Sequence, residues 1–201
     1  AHISKTIDSL KDVSDVSEII VVDDGSTDRT SYLAKSQGAI VVSLPQNRGK
    51  GDAMTAGLRV AKEEIVAFLD ADLGSSAKEV KVLIESLYNN NADLVIADWT
   101  NIKKSNKSGF GLALALARWG IKRLTGYRAT SPLSGQRVIK KKYLDKAFEK
   151  GFGVEIGMTV DSLRKGAKVL EVPVNMRHRE TARDLKGFVH RGKQFWSVGR
   201  F

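Results

Sequence analysis

The chain has 201 residues, 42% of them hydrophobic, which suits one domain with a sizeable core. It contains no Cys, which excludes disulfides and thiolate metal sites, and no apolar run reaches the roughly 18 residues that a membrane-spanning helix needs. The net charge of +10, from 33 Lys+Arg against 23 Asp+Glu, favours anionic partners: nucleic acid, phosphorylated small molecules or an anionic membrane surface.

In chain order, Ile3, Ile7 and Leu10 mark the apolar face of a first helix. "EIIVV" (18–22) reads as a buried strand, and Ser26-Thr27-Asp28 offers caps to a helix ending near Gly38. "AIVVSL" (39–44) is a second strand, followed by a helix from about Lys50 to Ala61 and a third strand, "EIVAFLD" (64–70). Val80, Leu83, Ile84 and Leu87 have helical spacing, and "DLVIAD" (93–98) is another strand. After Asp98 the rhythm changes. "TNIKKSNKSG" (100–109) reads as a loop, and a long helix covers Leu112 to Leu124. "LSGQRVI" (133–139) is read as a strand, Val154 to Arg164 as a helix, and "AKVLEVPVN" (167–175) as an edge strand, since Pro173 cannot donate to a ladder. Strand–helix alternation predicts an α/β fold, with a mostly parallel sheet covered by helices on both faces. The whole chain, 1–201, is expected to form one domain. A chain of strand–helix units that opens on a helix, with Ala1 in place of Met, leads us to expect a first strand ahead of residue 1; the alternative is a domain that simply begins with a helix.

Three stretches carry chemistry. "VVDDGSTD" (21–28) puts Asp23 and Asp24 at the carboxyl end of a strand, where open parallel sheets bind ligands. Their carboxylates can accept hydrogen bonds from a nucleobase or ribose, or serve only as turn and cap. "NRGKGDA" (47–53) is a Gly-rich basic loop opening a helix, suited to an anion or to nothing more than flexibility; it is not a Walker loop. "FLDADL" (68–73) sets Asp70 and Asp72 two residues apart at a strand end. In extended backbone both carboxylates face one side, and a divalent cation between them would relieve their repulsion. Mg²⁺ or Mn²⁺ suits such oxygen ligands.

In this order and spacing the three stretches resemble the donor half of GT-A glycosyltransferases, the family-2-type nucleotide-sugar transferases. The resemblance implies a GT-A fold whose donor half, 1–99, starts with a strand before the first helix. It places Asp23, Asp24, Gly25, Lys50, Gly51, Asp70 and Ala71 at the nucleotide, with Asp72 on the metal and Asp70 near the ribose or the metal. In the acceptor half, 100–201, "PLSGQR" (132–137), "GFGVEIG" (151–157) and "RHRE" (177–180) are similar to the glucosyl-3-phosphoglycerate synthase family. That family transfers glucose from a nucleotide donor to 3-phosphoglycerate with retention. The resemblance implies Glu155 at the sugar and His178 as a second metal ligand. From the residues alone, Glu155 reads first as a helix-dipole residue, and a lone His is usually structural.

The acceptor region departs from that family. "KSGFGLALALARWGIKRLTG" (107–126) is glycine-rich and apolar, closer to polyprenyl-phosphate glycosyltransferases, and Arg137 could fork onto an acceptor phosphate. Lys103, Lys104 and Lys107 lie on a loop that could close over it. The expected activity is therefore metal-dependent transfer of a hexose, expected to be glucose, from a nucleotide-diphosphate sugar such as UDP-glucose to a phosphorylated acceptor. The alternatives are a polyprenyl-phosphate acceptor at a membrane surface, a sugar-phosphate nucleotidyltransferase, or a non-catalytic anion-binding module. A second copy as homodimer partner is expected, and nucleic acid is not. The expected location is cytoplasmic, with contact at the inner face of the membrane as its variant. The basic tail, with Phe188, Phe195 and Trp196, is read as an amphipathic helix packed on the core or touching that surface.

Overall fold

The computed structural model describes residues 2–98, 110–144, 148 and 153–177. The loop at 100–109, Gly151 and Phe152, His178 and the basic tail lie outside the described residues. The elements are α1 (His2–Lys11), β1 (Ile20–Asp23), α2 (Thr30–Ser36), β2 (Ile40–Ser43), α3 (Lys50–Val60), β3 (Ile65–Phe68), a 3₁₀ turn (Gly74–Glu79), α4 (Val80–Asn89), β4 (Leu94–Asp98), α5 (Phe110–Thr125), β5 (Arg137–Lys140), a second 3₁₀ turn (Lys141–Tyr143), α6 (Val154–Arg164) and β6 (Val169–Pro173).

Among the described residues the strands form two sheets, β1-β2 and β3-β5-β4-β6. β1 and β2 are parallel, as are β4 and β6, while β5 runs antiparallel between β3 and β4. Thus β3, β4 and β6 point the same way and β5 alone is reversed. β4 shows why helices cover both faces. Its side chains alternate. Val95 and Ala97 pack with Val80, Leu83 and Leu87 of α4, whereas Leu94 and Ile96 pack with Ile139 and Met158 of α6. β6 is an edge strand that pairs with β4 and ends at Pro173, as its sequence requires.

Two details differ from the sequence reading. α2 starts at Thr30, because Asp28 accepts the Thr30 N–H at 2.9 Å and Asp23 accepts that of Ser26 at 2.8 Å, so residues 24–29 form a bend instead of helix. The strand read at 133–139 is displaced to Arg137–Lys140, since Ser131–Ser134 closes a turn with a 3.1 Å backbone bond.

The amino ends of β1 and β3 lie together, since Glu18 accepts the Lys62 N–H at 2.7 Å. Between the two strands runs an apolar cleft of about 740 Å³, walled by Val21 and Val22 on one side and by Val66 and Ala67 on the other. Its upper end reaches Lys50 and Asp70.

Candidate active site

The carboxyl ends of β1 and β3, the start of α3, the turn before β5 and the start of α6 converge. Asp23, 7% exposed, is clasped by the Ser26 N–H and the Ser31 hydroxyl. Burial pushes its pKa up, but these hydrogen bonds outweigh it and hold the carboxyl below its usual value of 3.8. Asp24 is spent on the basic loop. One oxygen accepts the Arg48 N–H at 2.7 Å and the other the Gly49 N–H at 2.8 Å. Gly25 adopts φ +77°, and a Cβ there would lie 2.7 Å from the Asn47 nitrogen, so the loops after β1 and before α3 touch backbone to backbone. Gly51 is buried in the first turn of α3, where its carbonyl accepts the Thr55 hydroxyl.

This scaffold delivers Lys50 to the centre. Its Nζ lies 2.6 Å from Oε1 of Glu155 and 3.4 Å from Oδ1 of Asp70. Burial would lower the Lys50 pKa, but the two carboxylates outweigh it and raise the ammonium above its usual range. Glu155 sits in the first turn of α6, in the favourable end of the helix dipole, with its side chain 9% exposed. Asp70 is held on its other side by the Gln136 amide at 2.9 Å. Gly135 completes the approach: a Cβ there would meet Lys50 Nζ at 2.7 Å and Asp70 at 3.3 Å.

The turn after β3 is fixed separately. Thr6 on α1 donates to the Ala71 carbonyl and accepts the Gly74 N–H, both at 2.9 Å. Asp72 stands between those two anchors, partly buried. The Arg177 N–H bonds the Ser76 hydroxyl at 2.9 Å, which ties the end of the described chain to the same turn. Among the described residues no group of three His, Cys, Asp or Glu side chains gathers to hold a metal ion.

Arg137 requires a correction. It is 0% exposed, and its guanidinium donates to the carbonyls of Pro132, Ser134 and Glu155 and to the Thr159 hydroxyl, at 2.7–2.9 Å. Burial lowers its pKa to about 10, which leaves it charged at neutral pH. A guanidinium so enclosed cannot fork onto an acceptor phosphate; it joins the 132–134 turn to α6.

Two contributors escaped the sequence reading. Gln136 is fully buried with its amide on Asp70. Glu171, on β6, accepts from the backbone of Thr130 and Ser131, the Thr130 hydroxyl and the Tyr127 phenol, and so shapes the loop after α5. Neither has a local signature, since the partners lie about 40 or more residues away in the chain.

A site at the carboxyl ends of strands, built from acids and one lysine over an α/β scaffold, is of the kind that nucleotide-sugar-dependent transferases use. Residues 1–148 match the family model described as glycosyl transferase family 2. The chain belongs to that family, and it is a glycosyltransferase.

Its relatives include the glucosyl-3-phosphoglycerate synthase of Mycobacterium tuberculosis, 31% identical over 95% of this chain and 67% of that protein. Another is the undecaprenyl-phosphate mannosyltransferase of Micrococcus luteus, 26% identical over 87% of this chain and 78% of that protein. Among solved structures, the M. tuberculosis synthase in complex with Mn²⁺, UDP and phosphoglyceric acid superposes with a TM-score of 0.77 at 29% identity, covering 98% of this chain and 71% of that one. The fold is GT-A-like.

Proposed function

We propose that this enzyme transfers a hexose from a UDP-sugar to a phosphorylated acceptor such as 3-phosphoglycerate. The observation that carries the reading is the cluster of Lys50, Asp70 and Glu155, which joins the donor half (1–99) to the acceptor half (100–201) at one point. Its support from relatives is that the M. tuberculosis synthase has been solved with Mn²⁺, UDP-glucose and phosphoglyceric acid.

Asp72 and His178 would hold a Mg²⁺ or Mn²⁺ ion. The residues fit such an ion: Asp72 offers a hard oxygen on a turn fixed from both sides, and these cations take few protein ligands, with phosphates completing the shell. When bound, the ion neutralises charge on the departing diphosphate. The chain's own residues do the rest. Asp24 holds the 48–49 backbone, where N–H groups at the start of α3 suit a phosphate. Gln136 and Lys50 orient Asp70 toward the ribose side of the donor. Glu155 faces the sugar, held in place by the Lys50 ammonium at 2.6 Å. A polyprenyl phosphate attacks with an oxygen that is already ionised. The hydroxyl of a phosphoglycerate passes its proton to the departing diphosphate as its oxygen bonds the sugar carbon and the bond to the diphosphate breaks, so neither acceptor needs a base from the protein. The test is calorimetry of UDP binding with and without Mn²⁺, followed by product analysis. Asp72→Asn is expected to abolish the Mn²⁺-dependent part of UDP affinity; an unchanged titration removes Asp72 from the site.

A second reading, transfer to a polyprenyl phosphate, is favoured by the outer face of α5, which is apolar and basic. Incubation with UDP-glucose and each acceptor in turn separates the two readings by which one yields a glycosylated product.

A further inference from the structure

α5 has two unlike faces. Ala113, Ala117 and Ile121 are buried, and Ala117 and Ile121 pack against Ile156 and Val160 of α6. On the opposite side Leu112, Leu116 and Trp119 follow at i, i+4 and i+7, which aligns them in one stripe. Leu112 is 60% exposed and Trp119 is 67% exposed. Large apolar side chains scattered singly need no explanation, but a contiguous stripe on one helix marks a contact surface.

The charges around the stripe say what kind of contact. α5 contains no Asp or Glu. Arg118, Lys122, Arg123 and, just beyond the helix, Arg128 are all exposed. Arg118 is anchored by a 2.5 Å bond to the Thr130 carbonyl, so its charge stays beside the stripe. Pairing this face with the same face of a second copy would stack these bases on each other. The chain's basic C-terminal residues carry the same sign and meet the same repulsion. An anionic surface meets none. Leu and Trp on one face with Lys and Arg beside them is also the composition of a helix that lies in a lipid interface, and the long basic side chains can bury their stems while their charges reach headgroups.

We propose that the outer face of α5 docks on an anionic bilayer surface. Leu112, Leu116 and Trp119 enter the interface, and Arg118, Lys122 and Arg123 meet the lipid headgroups. α5 packs on α6, whose first turn carries Glu155, and the chain runs from α5 through the 126–136 loop to Gly135 and Gln136. Docking therefore sets the site close to the membrane, where a lipid-linked phosphate would be presented. The inference deepens the polyprenyl-phosphate reading. Its test uses neither donor nor acceptor, so its failure leaves the transferase reading standing.

The full chain is sedimented with vesicles of phosphatidylcholine alone and of phosphatidylcholine mixed with phosphatidylglycerol. Binding is expected to the mixed vesicles, with a blue shift of emission that is absent in Trp119→Phe. Lys122→Ala with Arg123→Ala should weaken the partition by about 30-fold, because each base near an anionic surface contributes roughly a factor of five. Leu116→Glu should abolish it. These positions face solvent, so the variants keep the fold, which a thermal midpoint verifies. No binding to mixed vesicles overturns the proposal, as does binding that ignores the α5 variants. A concentration-dependent dimer that Leu116→Glu dissolves, without vesicle binding, overturns it in favour of a second copy.

Discussion

Gly25 and Gly135 make a pair of experiments at the scale of single residues. A Cβ at either would sit 2.7 Å from its nearest neighbour. At Gly25 that neighbour is the backbone of Asn47, and φ is +77°, so neither side can yield. Gly25→Ala is expected to destabilise the fold by about 2 kcal/mol in a urea titration, through overpacking and strain together. At Gly135 the neighbour is the tip of Lys50, which can swing away. Gly135→Ala should leave the midpoint nearly unchanged and instead lower UDP affinity in calorimetry by about tenfold, a loss of ~1.4 kcal/mol, as Lys50 and Asp70 are pushed apart. Equal loss of stability in both variants would contradict this account. Lys50→Met keeps the aliphatic stem but leaves Glu155 without its 2.6 Å partner. We expect roughly 1 kcal/mol less stability, given that the pair is only partly buried, with the Lys50 side chain 32% exposed, and at least about a hundredfold lower kcat/KM, measured with saturating metal.

At the scale of elements, Asp93 ties three strands at their ends. It directly precedes β4, accepts Lys140 Nζ of β5 at 2.8 Å and accepts the Lys168 N–H ahead of β6 at 3.0 Å. Burial pushes its pKa up, but Lys140 and the Lys168 N–H outweigh burial and hold it below 3.8. A folded pKa below the unfolded one gives stability that is present above the unfolded value and is lost as pH falls through the folded value. Urea midpoints should therefore fall on acidification below about pH 4, and Asp93→Asn should lower the midpoint at pH 7 while flattening that fall. The elements themselves were legible in the sequence because apolar spacing states the period directly: Val80, Leu83, Ile84 and Leu87 declare α4, and the unbroken run at 94–97 declares a strand covered on both faces. The reversed direction of β5 was not, since "RVIK" reads the same up or down. Nor was the burial of Arg137. An arginine after a Gly-Gln pair looks identical whether it points to solvent or to Thr159, and only the closing of the 132–134 turn against α6 decides.

Across the whole molecule, ligand binding and local opening should be visible together. UDP with Mn²⁺ at a hundred times Kd is expected to add about 2.7 kcal/mol of stability, and clearly more than UDP without metal; equal gains would argue against a metal-bridged diphosphate. The cleft between β1 and β3 leaves strand edges facing an open space, so the amides of Val22 and Ala67, which point away from β2 and β5, should exchange well ahead of those of Val95 and Ile96, whose strand is paired on both sides. Gln136 and Arg137 carry a wider consequence. They are neighbours that point oppositely, one to the Asp70 carboxylate and the other into the helix bearing Glu155. Side chains on a strand alternate, so sliding this segment by a single place would exchange them, sealing the amide in the interior and thrusting the guanidinium toward Asp70 and Lys50. One inserted residue between Pro132 and Gln136 should thus silence the enzyme, whereas the same insertion at the surface end near Gly126 leaves the phase of the ladder intact.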